Sequence, residues 1–559
     1  MNRIINNKFR ELILPTLLIA MALNITVIVD SIFVSSFVGP DALAALEILE
    51  PIVLLITVIE WLFGLGGQIL ALNSKAEFDE KGSNTHFSVA MLSTVIVCVV
   101  LLLICSLDTN GLISFLHTPR DVVPYVQQYA PFLFLTFPLA TLLGVTSQFM
   151  RVDDKPKFTS AVIITVNIVN IILDFIFLYY FKMGVAGASL ASLIGNVVGL
   201  LCLIKYFNDP NRTYRFSFSI PLRKWVDSFV GIVKTGFPSA SMGLFDVALV
   251  YIMNRILIAV LDKTGLVAYS VSVDALLIIS ILIIGTADTI TSIIPVYYTQ
   301  KDYANVKKLV KFAIRLTVAC SIALTIFNWI WPQGFLMLYG LNDYASTPIV
   351  VNALKMSSIG FFASAIATIL IFYYEAIDQA TLSTIISAIA ALFGPLAGVI
   401  LFYPILGNNA IWLASTTGTL ISILVAIIYV KINERRQSEY TGMLFIDENL
   451  IEKTRNYSLD RNADRSEMSS HLMGLNADKT DLDKLNAILD KIFDDDDGDI
   501  IIEVLVIDYD DNINVNIKDE GKGRILDEVK KEIELSDDVK YSQTLGFNNI
   551  EYVMNKAKD

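Results

Sequence analysis

The chain has 559 residues, 54% of them hydrophobic, and a mean hydropathy of +0.60, too apolar for an ordinary soluble protein of this length. Its net charge of −13 is unevenly placed, because residues 438–559 hold 30 Asp and Glu against 15 Lys and Arg, while residues 1–437 hold 25 against 27. A nearly neutral apolar body with an acidic tail excludes a nucleic-acid footprint, since basic residues gather only in short connections.

Twelve stretches carry the roughly 20 apolar residues that a membrane-spanning helix needs. They fall near 12–37, 50–72, 88–106, 124–148, 159–181, 184–207, 228–259, 266–295, 308–331, 347–374, 380–403 and 408–432. The first lacks a cleavage-site pattern and reads as a retained span. Connections on one side carry Arg3, Lys8, Arg10, Arg151, Lys157, Arg212, Arg215, Arg223, Lys301, Lys307, Lys431 and Arg435, against little beyond Arg120, Lys182 and Lys263 on the other. The excess of positive charge places both termini in the cytoplasm of a multi-pass cell-membrane protein.

Polar residues inside these stretches are costly. An ionisable group at bilayer depth costs roughly 2.5–3.5 kcal/mol by insertion scales, so its default reading is functional. Asp30 sits at mid-depth of the first stretch in "VIVDSIF", and Glu60 near the middle of the second. In the fifth, "NIILDFIF" sets Asn170 and Asp174 four residues apart, on one helix face. Ser192 lies about two turns into the sixth; Asp246 follows Pro238 by eight residues, and Asp274 and Asp288 lie along the eighth. Carboxylates, an amide and a hydroxyl suit a hard cation such as Na⁺. They suit a proton equally, because burial and a neighbouring like charge each favour protonation. The competing reading is a hydrogen-bonded network that fixes helix packing. The four cysteines, Cys98, Cys105, Cys202 and Cys320, lie in apolar runs without ligand spacing, and three scattered histidines offer no metal centre.

A shift of about 223–224 residues lays the chain over itself, matching "GVAGASLASLIG" (184–195) to "GNNAIWLASTTG" (407–418) and Pro15 to Pro238. An even number of spans per repeat predicts two parallel six-helix lobes with a site between or within them. Under the shift Asp30 falls on Asn254, Asn170 on Gly394 and Asp174 on Gly398, so these polar groups belong to the first lobe alone. The expected architecture is an all-α polytopic membrane protein with 12 transmembrane helices and a small C-terminal α/β sandwich. Its parts are residues 1–207, a linker at 208–227, residues 228–436 and a cytoplasmic tail at 437–559.

The stretches "VDSIFVSSFVGPDALAAL" (29–46), "MRVDDKPKFTS" (150–160) leading into "NIILDFIF", and "MGVAGASLAS" (183–192) resemble the multidrug and toxic compound extrusion (MATE) family over residues 1–436. The resemblance implies a monomeric secondary antiporter that expels amphipathic, cationic, drug-like compounds as Na⁺ or H⁺ enters, with no cofactor and no enzymatic activity. It maps the family's ion site onto Asp30, Asn170, Asp174 and Ser192, and a seventh-span acid onto Asp246. Glu60, Asp274 and Asp288 join Asp246 as candidate cavity acids. A tenth-span acid of some members finds only Ala363 here. The alternatives are a lipid-linked saccharide flippase of the wider superfamily and a transporter-like sensor that signals through its tail.

In the tail, "IIIEVLVIDY" (500–509) and "INVNIKDEGKG" (513–523) predict strands, with helical runs near 524–534 and 545–556. "VNIKDEGKGRI" resembles the glycine box of the histidine-kinase-like ATPase fold, which implies nucleotide contacts at Asp519, Gly521, Gly523 and, in a later box, Gly546. The helix "LDKLNAILDKIF" (482–493) lacks the family's paired Glu and metal-holding Asn. The tail therefore reads as a degenerate regulatory or docking domain for a cytoplasmic protein partner, in preference to an ATPase.

Overall fold

The computed structural model describes residues 3–76, 79–153, 156–210, 212, 214–217, 220–341, 347–435, 441–461, 463–494, 501–519, 539–544 and 547–556. Among them nine helices are long and apolar enough to cross a membrane, or ten if Pro348–Ser358 and Phe361–Ala376, bent by 44°, act together. The helix Leu222–Thr299 has 78 residues, which would measure ~117 Å if straight, far beyond a bilayer. It breaks at Asp262, where φ 55 and ψ −155 leave the helical region, so that two helical arms meet there.

The second helix begins earlier than its apolar stretch predicts. Gly39, at φ 125, turns the chain after the helix Arg3–Phe37, and Pro40 opens the helix Pro40–Ile59. Proline suits a first helical turn, where its missing N–H costs no hydrogen bond. Glu47 and Glu50 therefore lie inside this helix, not in a connection. Further along, Gly66 and Gly236 let helices from the two halves of the chain touch backbone to backbone. A Cβ on Gly66 would run into the main chain at Ile232 and Gly236.

The tail forms one antiparallel sheet. Its strands are β1 (Thr454–Leu459), β2 (Ile502–Asp508), β3 (Asn512–Asp519), β4 (Val539–Thr544) and β5 (Phe547–Asn555), in the order β1-β2-β3-β5-β4. The expected helix at 545–556 is thus corrected to β5, whose ladder with β3 supplies the backbone bonds a helix would have made. The run at 524–534 lies outside the described residues. Helices Ser466–Gly474 and Lys479–Asp494 cover one face, with Leu472, Leu485 and Leu489 packed on Val504, Val515 and Ile517.

The other face is covered by the membrane body. Leu505 and Ile507 share a core with Ile446, Leu450 and Tyr303, at the start of the helix Tyr303–Ile330. Asn456 donates to Asp302 at 3.2 Å, and Gln300 donates to Asn549 at 3.0 Å. Lys518, fully enclosed, sets its ammonium 3.4 Å from the centre of the Tyr297 ring. Burial pushes this lysine down from its ordinary 10.5 to about 8, against the pull of Asp302 and Glu503. Strands covered on both faces lose the in-out alternation of a half-exposed sheet, and β2 shows it, with six buried residues in a row.

Candidate functional site

A cavity of about 690 Å³ lies within the helical body, a size suited to a drug-like molecule. Its wall takes residues from both halves of the chain. Arg3–Phe37 contributes Asp30 and Ser31; Pro40–Ile59 contributes Glu47 and Glu50; the two arms of Leu222–Thr299 contribute Asp246 and Asp274. Tyr129, Tyr269, Phe361 and Trp412 add aromatic surface. Five carboxylates and no Lys or Arg line the cavity among the described residues.

The polar group predicted in the first half comes together. Asn170 donates to the Ser192 hydroxyl at 3.2 Å, joining the helices Pro156–Phe175 and Val185–Phe207, and both residues line the cavity with Asp30. Asp174 lies one turn behind Asn170, completely buried and outside the lining. It is close enough to Asp30 to sense that carboxylate's charge. Among the described residues neither oxygen of Asp174 has a hydrogen-bond partner, and Oδ1 of Asp30 has none. A structural network would satisfy these atoms, because an unpaired polar group in a dry interior costs several kcal/mol, roughly 2–7 by transfer scales. The helix leaves its regular geometry for a π-helical turn at Ile176–Tyr180, just past Asp174. Such turns recur at functional sites.

The other candidate acids divide. Asp246 and Asp274 line the cavity as expected. Glu60 and Asp288 do not: Glu60 packs over Gly144 at the π-helical turn Glu60–Leu65, and Asp288 lies toward Glu375. Glu47 and Glu50 were missed, although their i, i+3 spacing in "ALEILEP" marks one helix face. Ser270 lies beside the Glu47 side chain, and the Glu47 carbonyl accepts from Asn254, the repeat counterpart of Asp30, at 2.7 Å.

At the end of the bundle away from the tail, the two halves are tied together. Lys263 lies 3.1 Å from Asp41 and 3.0 Å from Asp121. Arg255 approaches Nδ1 of His117 at 2.6 Å. Ser35 donates to the Tyr339 carbonyl and Ser36 to that of Leu338, both at 2.7 Å.

In the tail, Asp519 accepts from Asn548 on β5 at 2.8 Å. Gly521, Gly523 and Gly546 lie outside the described residues. Among those residues no three His, Cys, Asp or Glu converge on a metal position.

Residues 15–176 match the MatE family model. A solved structure described as the inward-facing conformation of a multidrug resistance MATE family transporter superposes with a TM-score of 0.68 at 17% identity, covering 76% of this chain and 96% of that one. The fold is the MATE fold. An outward-facing MATE structure, also 17% identical, covers 77% of this chain and 96% of its own at the lower TM-score of 0.59. The chain is 22% identical over 411 residues to the multidrug export protein MepA of Staphylococcus saprophyticus, spanning 73% of this chain and 88% of that protein. The body of the chain thus shares the fold of a protein described as a multidrug transporter, and this relative is named as an export protein. The share of this chain covered leaves room for the tail, which lies beyond the MATE-like body.

Proposed function

We propose that this chain is a secondary antiporter that exports amphipathic cations in exchange for Na⁺ or H⁺ by alternating access. The supporting observation is the pair of acids in the first half, Asp30 and Asp174, with three carboxylate oxygens left unpartnered beside a cavity that holds further carboxylates. Oxygens kept out of water without protein partners suit an arriving cation or proton. With Asn170 and Ser192 they offer an oxygen-only donor set, which fits Na⁺ as cargo. The five cavity acids and the aromatic wall favour cationic, ring-bearing substrates. The flippase alternative calls for Lys or Arg facing a pyrophosphate, and the described lining carries neither.

The first helix, the two arms that meet at Asp262 and the bent pair bring the spans to twelve, in two six-helix lobes, with both termini in the cytoplasm of the cell membrane. In this orientation the tail lies inside and the ties at Lys263 and Tyr339 lie outside. The better superposition on the inward-facing structure agrees with a molecule closed on its outer side. The tail is read as a docking domain, since its Lys518 face is occupied by the membrane body and Asp519 is engaged by Asn548.

Coupling requires that ion and substrate have opposed preferences for the two lobe arrangements. Efflux from proteoliposomes under separate Na⁺ and pH gradients tests the reading. One gradient is expected to drive export of a lipophilic cation; export that ignores both would reject antiport.

A further inference from the structure

Asp274 differs from Asp30 and Asp174 in being held. Tyr339 donates its hydroxyl to Oδ2 of Asp274 at 2.8 Å, and Ser31 lies beside the same carboxylate on the cavity wall. Ser31 follows Asp30 on the first helix, whereas Asp274 and Tyr339 belong to the second half. The carboxylate therefore lies where the two halves meet. It also lies at the base of the outer closure, because the backbone carbonyls of Tyr339 and Leu338 receive Ser35 and Ser36 from the first helix. Tyr339 has no exposure and Asp274 only 3%, so their bond is not shared with bulk water.

The same carboxylate lines the substrate cavity. A cation in the cavity and the Tyr339 hydroxyl thus compete for one acceptor. Building on the transport reading above, we propose that Asp274 is the residue through which a bound cation opens the outer side. The cation draws the Asp274 carboxylate away from Tyr339, which frees the segment at 338–341 from the first helix. The charge of the substrate then does two things with one contact: it holds the molecule and releases the exit. A neutral compound of the same shape fills the cavity without disturbing the latch. Thermodynamically, the cation binds Asp274 better once Tyr339 has let go, and this difference is what shifts the equilibrium.

The test is accessibility from outside the cell, read on the full-length protein. Leu277 lines the cavity without a polar role, so Leu277→Cys is introduced with Cys98, Cys105, Cys202 and Cys320 changed to Ala. Labelling by a membrane-impermeant maleimide is followed with and without tetraphenylphosphonium. In the parent, labelling is expected to quicken several-fold when the cation is added. Adding Tyr339→Phe removes one latch bond while leaving the carboxylate, and labelling is expected to be fast without the cation. Adding Asp274→Asn keeps an acceptor for Tyr339 but no charge, and labelling is expected to stay slow and ignore the cation. Wild-type rates and responses in both variants would overturn the proposal. Tetraphenylphosphonium binding to the purified parent separates the two readings: its absence would count against the cationic cavity, whereas the cation-free rate of Tyr339→Phe still judges the latch.

Discussion

Two buried charges in this molecule are treated in opposite ways. Lys518, in the tail, is enclosed on every side and provided for: a ring beneath it, Asp302 and Glu503 nearby, and Asn549 opposite it on the next strand. Asp174, in the membrane body, is equally enclosed, and neither of its oxygens is met by a hydrogen-bond donor. A charge buried for architecture is compensated where it stands, because leaving it bare costs several kcal/mol. A charge left bare points to a partner that comes and goes. The same fold thus separates an immovable joint from a working site by whether the protein completes the coordination itself.

That contrast can be broken most decisively at the acids. Asp174→Asn and Asp30→Asn at matched expression are each expected to cut export by roughly 5–150-fold, the usual span of a coupling energy. Thermal stability should hold or rise, since an uncompensated carboxylate is gone. Full export in both variants would remove the ion site. At Lys518 the expectation reverses. Lys518→Ala should destabilise the seated tail by roughly 3–5 kcal/mol, the usual cost of breaking a buried ionic contact, as read by hydrogen exchange across residues 297–307. An unchanged exchange pattern there would show that the lysine does not hold the joint.

A smaller effect comes from pH. Docked Lys518 gives up its proton near 8, whereas a free lysine keeps it to 10.5, so the undocked state binds more protons between those values. Docking therefore strengthens as pH rises through this window, by roughly 1 kcal/mol from pH 7 to pH 9, and the lysine's contribution is least favourable below 8. Protection of β3 measured at the two pH values checks the sign. The smallest effect is expected from Lys263→Ala, a partly exposed pair worth roughly 1 kcal/mol or less. It should modestly raise labelling at Leu277→Cys from outside, and less at high salt.

The depth of a charge was legible in the sequence, and its direction was less so. Asp30, Asn170, Asp174 and Ser192 stand out because each interrupts an apolar run, and the i, i+4 spacing already put two of them on one face. Glu60 and Asp288 interrupt apolar runs just as clearly, yet they are not on the cavity lining, since facing depends on helix packing that no single run encodes. Glu47 escaped because the second apolar stretch reads from residue 50, and Glu50 because it stands at that stretch's edge, while the helix starts at Pro40 and carries on through Pro51. In the tail, "TRNYSL" has too few apolar residues to announce β1, and its strand form comes from pairing with β2. "FNNIEYVMN" places Phe547, Ile550, Val553 and Met554 at helical intervals, but the ladder with β3 decides otherwise.

The two-sided burial of the tail sheet has a practical corollary. Trimming the chain after its last membrane helix would strip the cover from Tyr303, and the liberated fragment would bare Leu505 and Ile507. Both products would be adhesive, so a truncated protein that expresses poorly or clumps would report lost upholstery, not a lost signal. Point changes at the joint are the cleaner tool.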